Sequence, residues 1–179
     1  MARVLEIAQL GAPVIREQAV KVTNPADPQL QTLIDDMLVT VANQKGMGIA
    51  APQVSVSKRI IILSSQPNTR YPYAPAMEPT VMINPVLEWA SPDIDKDWEG
   101  CLTVPGIRGL VPRHRAIRVR YWTRQGAEVE IAYEGFLARI FQHEIDHLDG
   151  LVFLDRVEST RDLATEREWQ KIIAHRPPL

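Results

Sequence analysis

The stretch Gln142-His143-Glu144-Ile145-Asp146-His147 contains the spacing H-E-x-x-H. On a helix, residues four apart lie on one face, one turn from each other, so His143 and His147 can aim imidazole nitrogens at one metal ion. Glu144 sits at the edge of that face, where it can take a proton from a water at the metal without being a ligand. Two histidines at this spacing also arise by chance on solvated helix faces. Here the glutamate stands at the one position the chemistry needs, on a helix apolar enough to be buried, and the metal reading is preferred. A longer zinc-protease pattern, H-E-x-x-H-x-x-G-x-x-H, has its glycine at Gly150, but its last position is Phe153, which cannot bind metal. That disfavours a zinc endopeptidase and sends the third ligand elsewhere. Cys101, in Glu99-Gly100-Cys101-Leu102, is the only cysteine in the chain. The usual fate of a lone cysteine is burial as a small apolar residue.

The element that must carry the histidines is predicted as a helix, because Phe136, Leu137, Ile140, Phe141, Ile145 and Leu148 recur at three- and four-residue steps. Gly135 precedes the run, and Gly150 follows it, where helices commonly close in a left-handed turn. Phe136 and Ile140 project to the histidine side, as a pocket wall or as ordinary core. A second helix is expected from an Asp27 cap and Pro28 through Leu30, Leu33, Ile34, Met37, Leu38 and Val41, with Gly46 as its stop.

Around these helices the chain reads as strands and turns. Residues 3–9 are extended, Pro13 to Ala19 make a helical turn, and Thr23-Asn24-Pro25 is a turn. In Gly46-Met47-Gly48-Ile49-Ala50-Ala51-Pro52-Gln53, close backbone approach to a ligand and a helix cap followed by a loop explain the glycines equally well. Arg59 to Leu63 is a buried strand. Pro67, Pro72, Pro75 and Pro79 mark an irregular loop, whose Tyr71 and Tyr73 are read as packing onto the body rather than meeting a ligand. Val81 to Ile83 resumes a strand, with Pro85 at an edge or bulge. Pro105-Gly106 is a turn. Ala116 to Trp122 and Ala127 to Tyr133 form a hairpin around Gln125-Gly126. Pairing Val119 with Val129 sets Arg120 opposite Glu128 and Arg118 opposite Glu130, and these cross-strand pairs explain the arginines better than a nucleic-acid patch. A last helix is expected from Arg161 to Ala174, and residues 175–178 as a frayed tail.

A chain of 179 residues with 45% hydrophobic and 23% charged residues has the make-up of one globular domain. A net charge of −2 gives no bulk attraction to nucleic acid or to an anionic membrane. One cysteine fits a reducing compartment. The N-terminal segment, interrupted by Glu6, reads as neither a signal peptide nor a membrane anchor.

Three blocks stand in order: GMGIAAPQ (46–53), EGCLTVPG (99–106) and QHEIDH (142–147). Together they resemble peptide deformylase, which removes the formyl group from N-formylmethionine on new bacterial and organellar proteins. The resemblance implies an α+β fold over residues 1–179, with antiparallel sheets around a central metal-binding helix and a helix at the C-terminus. It implies that Cys101, His143 and His147 bind one divalent ion, ferrous iron natively, with zinc, nickel or cobalt able to replace it. Glu144 becomes the acid/base, and Gln53 with the backbone N–H of Leu102 binds the oxyanion. Met47, Gly48 and Gly100 hold the peptide, with Phe136 and Ile140 facing the methionine side chain. Nascent formylmethionyl chains become the substrate, the ribosome a partner, and the bacterial cytoplasm or an organellar lumen the location. Met47 stands where the family often has a β-branched aliphatic, and Thr103 where it has serine; both bear on pocket shape and not on the reaction.

The chemistry agrees with those roles. A thiolate and two neutral imidazoles leave a divalent ion with a net positive charge that still acidifies water, and three protein ligands leave a position open. The competing reading is a silent binding module with a closed structural site. It needs a fourth protein ligand, and the only other histidines are His114 and His175.

Overall fold

The computed structural model describes residues 2–175. Its strands are β1 (Gly48–Ala50), β2 (Ile60–Ser65), β3 (Met77–Ala90), β4 (Ile94–Cys101), β5 (Val104–His114), β6 (Ala116–Trp122), β7 (Glu128–Glu134) and β8 (Leu163–Thr165). Its helices are α1 (Pro28–Asn43), α2 (Gly135–Leu148) and α3 (Glu166–Ala174). A five-stranded sheet has the order β1-β2-β3-β6-β7 and a three-stranded sheet the order β4-β5-β8, with every pairing antiparallel.

The unbroken apolar run of β2 follows from burial on both faces. Alternate side chains of a strand point to opposite sides. Ile60 and Ile62 pack with Ile34, Met37 and Val41 of α1, while Ile61 and Leu63 pack with Ile140, Phe141 and Leu148 of α2. α2 lies between the two sheets, against β1, β2, β6 and β7 of one and β5 of the other. The α+β arrangement around a central helix, with a C-terminal helix, is the one the sequence resemblance implies.

Several boundaries differ from the sequence reading, each for a local reason. Lys45, not Gly46, takes the left-handed conformation that ends α1 (φ 51°). Gly46 is needed for closeness instead, since a Cβ there would lie 3.2 Å from Val41 Cγ2. The segment after it is not a plain loop: Gly48–Ala50 is β1, and Ala51–Val54 is a 3₁₀ turn. β3 starts at Met77 and runs through both Pro79 and Pro85, each of which falls at a shift of register where the missing N–H costs nothing. The tight turn joining β4 to β5 is Leu102-Thr103, with Cys101 opposite Val104, and Pro105-Gly106 belongs to the start of β5.

The hairpin register is two residues from the expected one. Val119 pairs with Ile131 and Arg120 with Glu130, because a three-residue loop closes between Thr123 and Ala127, with Gly126 at φ 84°. The expected ion pairs still form, as diagonals: Arg118 with Glu130 at 3.4 Å and Arg120 with Glu128 at 3.1 Å. Long side chains bridge that offset. The last helix begins at Glu166, since Leu163–Thr165 hydrogen-bonds to β5 as β8 and Thr165 caps the helix. The tail expected at 175–178 lies outside the described residues beyond His175.

Gly150 closes α2 as the sequence predicts, at φ 73°, and it is also crowded: a Cβ would lie 2.7 Å from the Arg16 carbonyl oxygen. Gly126 shares the conformation without the crowding, as its nearest neighbour would be Pro25 at 3.7 Å. Gly126→Ala should therefore cost only the left-handed backbone preference, about 1–2 kcal/mol. Gly150→Ala should cost clearly more, read as a lower urea midpoint at unchanged m. Equal midpoints would show that the Arg16 carbonyl moves aside freely.

Candidate metal centre

β4 ends on Cys101, and the Leu102-Thr103 turn that follows holds the thiol against α2. α2 turns His143 and His147 to the same side. The Cys101 sulfur and one nitrogen of each histidine lie within 4.8 Å of one another. Cys101 Sγ is 3.2 Å from His147 Nε2. His143 Nδ1 is 2.8 Å from Glu99 Oε2. An ionised carboxylate only accepts, so Nδ1 carries the proton and Nε2 keeps its lone pair for the cluster.

Burial alone would raise the Cys101 thiol, but the neighbouring imidazoles of His147 and His143 pull it well below its ordinary value. The thiolate is the ligand form. Burial would likewise raise Glu99, yet the charge of Arg113 and the His143 hydrogen bond hold it well below the carboxylate range. Burial would lower the His143 imidazole, but its hydrogen bonds to Cys101 and Glu99 raise it well above its ordinary value, a demand for positive charge at the cluster. A divalent cation meets that demand, and the donor set fits one: a soft thiolate, two imidazoles, and no fourth protein ligand among the described residues. His114 Nδ1 is bonded to the Ser91 carbonyl and His175 Nδ1 to the Lys171 carbonyl, and neither ring lies in the cluster.

Glu144 is 4% exposed, and its Oε2 has no hydrogen-bond partner among the described residues. Burial pushes its carboxyl up to about 7, against the pull of the two imidazoles. Gly48 makes room for it, since a Cβ there would lie 2.5 Å from Glu144 Oε1. The Gln53 amide is oriented by its neighbours. Ala50 N–H donates to Oε1 at 2.8 Å, so Nε2 turns toward Cys101 Sγ at 3.4 Å and Thr103 Oγ1 at 3.2 Å.

These groups open onto a cleft of about 700 Å³. Met47, Gly48, Gly100, Leu102, Phe136 and Ile140 all line it. Ile140 is also core, packed beneath the five-stranded sheet, so wall and core are not alternatives there. Tyr71 and Tyr73 pack on Phe136, with ring centroids at 5.2 and 5.7 Å, and Tyr71 lines the cleft as well. The N-terminal segment contributes Leu5, Ile7 and Gln9 to the lining.

Sequence reasoning missed the supports. Arg113 donates to both Glu99 oxygens, at 2.9 and 3.0 Å, and to Asp146 Oδ2 at 2.6 Å. Arg139 donates to Glu99 Oε1 at 2.9 Å, and Arg156 to Asp146 Oδ1 at 2.6 Å. The signal available was Asp146, a carboxylate inside the motif of a buried helix, which demands a cationic partner.

Glu144 predicts a stability effect with a definite sign. Its folded pKa lies above its unfolded value near 4.5, so its contribution is favourable below that value and is lost as pH rises through about 7. In metal-free protein, Glu144→Gln should therefore stabilise the fold at pH 8, by an amount of the order of 1–3 kcal/mol, and make no difference at pH 4. Urea unfolding at the two pH values checks it, and an equal change at both would mean that the carboxylate is not held in a desolvated place.

The chain is similar to known proteins in both sequence and fold. Residues 4–162 match the family model described as polypeptide deformylase. A peptide deformylase 2 of Nostoc sp. is 54% identical over 169 residues, covering 94% of each chain. A peptide deformylase 1 of Bordetella pertussis is 45% identical over 157 residues, covering 88% of each. Among solved structures, the Met-Ala-Ser-bound class I type b peptide deformylase from Acinetobacter baumannii superposes with a TM-score of 0.85, at 44% identity over 88% of this chain and 100% of that one. With its three motif blocks inside the matched region and relatives of this similarity along nearly its whole length, the chain belongs to the polypeptide deformylase family.

Proposed function

We propose that this chain, as one catalytic domain, hydrolyses the N-formyl group from the terminal methionine of newly made polypeptides, releasing formate and a free amine. The observation that carries the reading is the buried Glu144 carboxylate, uncommitted at Oε2, beside a cluster of three metal donors at the floor of an open cleft. Cys101, His143 and His147 hold a divalent ion, which when bound supplies the Lewis acidity that makes water a nucleophile at neutral pH. Ferrous iron is the ion we assign, with zinc, nickel or cobalt as replacements.

The chain's own groups do the rest. Glu144 accepts the proton of the attacking water and hands it to the departing amine. Burial makes its carboxylate a better base than an exposed one, and the charge of the bound ion would work in the opposite direction. The Gln53 Nε2–H and the Leu102 backbone N–H donate to the oxyanion. Gln53 is already oriented by Ala50 and Thr103, and donating to the oxyanion releases only its long contact to Cys101 Sγ. Backbone groups at Met47, Gly48 and Gly100 hold the peptide extended, and Phe136 with Ile140 receives the methionine side chain. A nascent chain as substrate assigns the ribosome as partner, and the bacterial cytoplasm or an organellar lumen as the place of work. No helix among the described residues is long and apolar enough to cross a membrane.

The decisive experiment is formate release from formyl-Met-Ala-Ser by anaerobically purified protein, with metal content measured on the same sample. Fully metallated protein that releases none would sink the reading. Glu144→Gln should keep its metal and lose roughly 10²–10⁴ in turnover, because an amide cannot accept the proton. Near wild-type turnover would remove Glu144 from the reaction. Metal identity should show in air. Apo-protein loaded with ferrous iron should lose activity while the nickel form persists, since iron undergoes one-electron oxidation readily and exposes the Cys101 thiolate to it. Equal decay of the two forms would count against iron at a thiolate-bearing site.

A further inference from the structure

One wall of the cleft comes from beyond the region matched by the family model, which ends at residue 162. There α3 places Glu166 against Arg108 of β5. Arg108 Nε donates to Glu166 Oε2 at 2.6 Å and Nη2 to Oε1 at 3.2 Å. Nη1 donates to the Tyr71 hydroxyl at 3.1 Å, and the guanidinium carbon stands 4.4 Å from the centre of the Trp169 ring. Arg108 thus joins the proline-rich loop, the three-stranded sheet and α3.

The two charges differ in access. The Arg108 side chain is 7% exposed and the Glu166 side chain 34%, and both line the cleft. Three N–H groups of the guanidinium are committed, and one of its faces is covered by Trp169. The charge that meets a ligand at this wall is therefore the carboxylate. The position matters because Arg108 presses against Gly100, where any Cβ would run into the guanidinium. Gly100 stands next to Cys101 and has no such room to give, so a peptide lying along it passes this clasp.

We propose that Glu166 is a specificity-determining residue: by masking Arg108 it makes this wall favour peptides with a basic residue downstream of the methionine over peptides with an acidic one. The proposal rests on the deformylation reading. Lys45, Arg70 and Glu6 also line the cleft, so the absolute preference belongs to all of these charges, and the Glu166 share is read as a change on substitution.

The test compares kcat/KM for formyl-Met-Lys-Ser with formyl-Met-Glu-Ser, and for formyl-Met-Ala-Lys with formyl-Met-Ala-Glu. In Glu166→Gln the Lys-over-Glu ratio should fall about two- to fivefold at one of the two positions, the size one partly exposed charge contact supports. Glu166→Asp keeps the charge and should keep the wild-type ratio. Glu168→Gln should leave it alone, since Glu168 pairs with Lys171 and Arg167 and does not line the cleft. Hydrolysis of formyl-Met-Ala-Ser should stay within twofold of wild type in Glu168→Gln. An unchanged ratio in Glu166→Gln at both positions, or an equal fall in Glu166→Asp, overturns the proposal while deformylation stands. Wild-type protein that hydrolyses none of the peptides overturns the deformylation reading instead.

Discussion

The Glu99 carboxylate is 4% exposed and would be costly to bury alone. Arg113 grips it with two hydrogen bonds and Arg139 with a third, and its remaining contact is His143 Nδ1. Glu99 lies two residues before Cys101 on β4, and Arg139 and His143 lie on α2. One carboxylate therefore locks the strand that carries the thiol to the helix that carries the imidazoles. Arg113 extends the lock through Asp146, inside the histidine motif, to Arg156 at the surface. Removing Glu99 would take from Arg113 and Arg139 the buried counter-charge they share, a costly change in so desolvated a place.

That rigidity matters because the ligand geometry has little else to hold it. Cys101 follows a shift of register and precedes a two-residue turn, where backbone pairing is interrupted. The network orients His143 through its Nδ1–H and ties α2 to β4, where the three donors lie within 4.8 Å of one another. Glu144 is the complement of this design. His143 is paired at Nδ1 and Asp146 at both carboxylate oxygens, whereas the Glu144 carboxyl is desolvated and left with an oxygen free among the described residues. Glu144 is thus a buried carboxyl with one oxygen uncommitted, on the same helix as two of the three candidate metal donors.

The cleft is assembled from segments far apart in the chain: the N-terminal segment, the turn before β1, the end of β4, α2 and the proline-rich loop. The apolar part rests on α2, where Ile140 serves wall and core together. The polar end rests on a clasp of Tyr71, Arg108 and Glu166.

Much of this was legible in the residues themselves. The period of the α2 sequence gives the helix, and the spacing of His143 and His147 gives their common face, because both are properties of local helical geometry. The left-handed Gly150, the cap at Asp27 and the buried run of β2 are local for the same reason. Other features depend on which distant segments meet, and no local pattern encodes that. The hairpin pairs its arginines and glutamates as foreseen in kind, but a three-residue loop moves the register by two, and only side-chain length saves the contacts. Leu163 looked helical until β5 offered it backbone partners. Glu99 read only as a neighbour of the cysteine, and Arg113 and Arg139 not at all. A buried charge is stable only beside its counter-charges, and those come from elsewhere in the chain, so tertiary packing alone decided that Glu99 would hold the centre together.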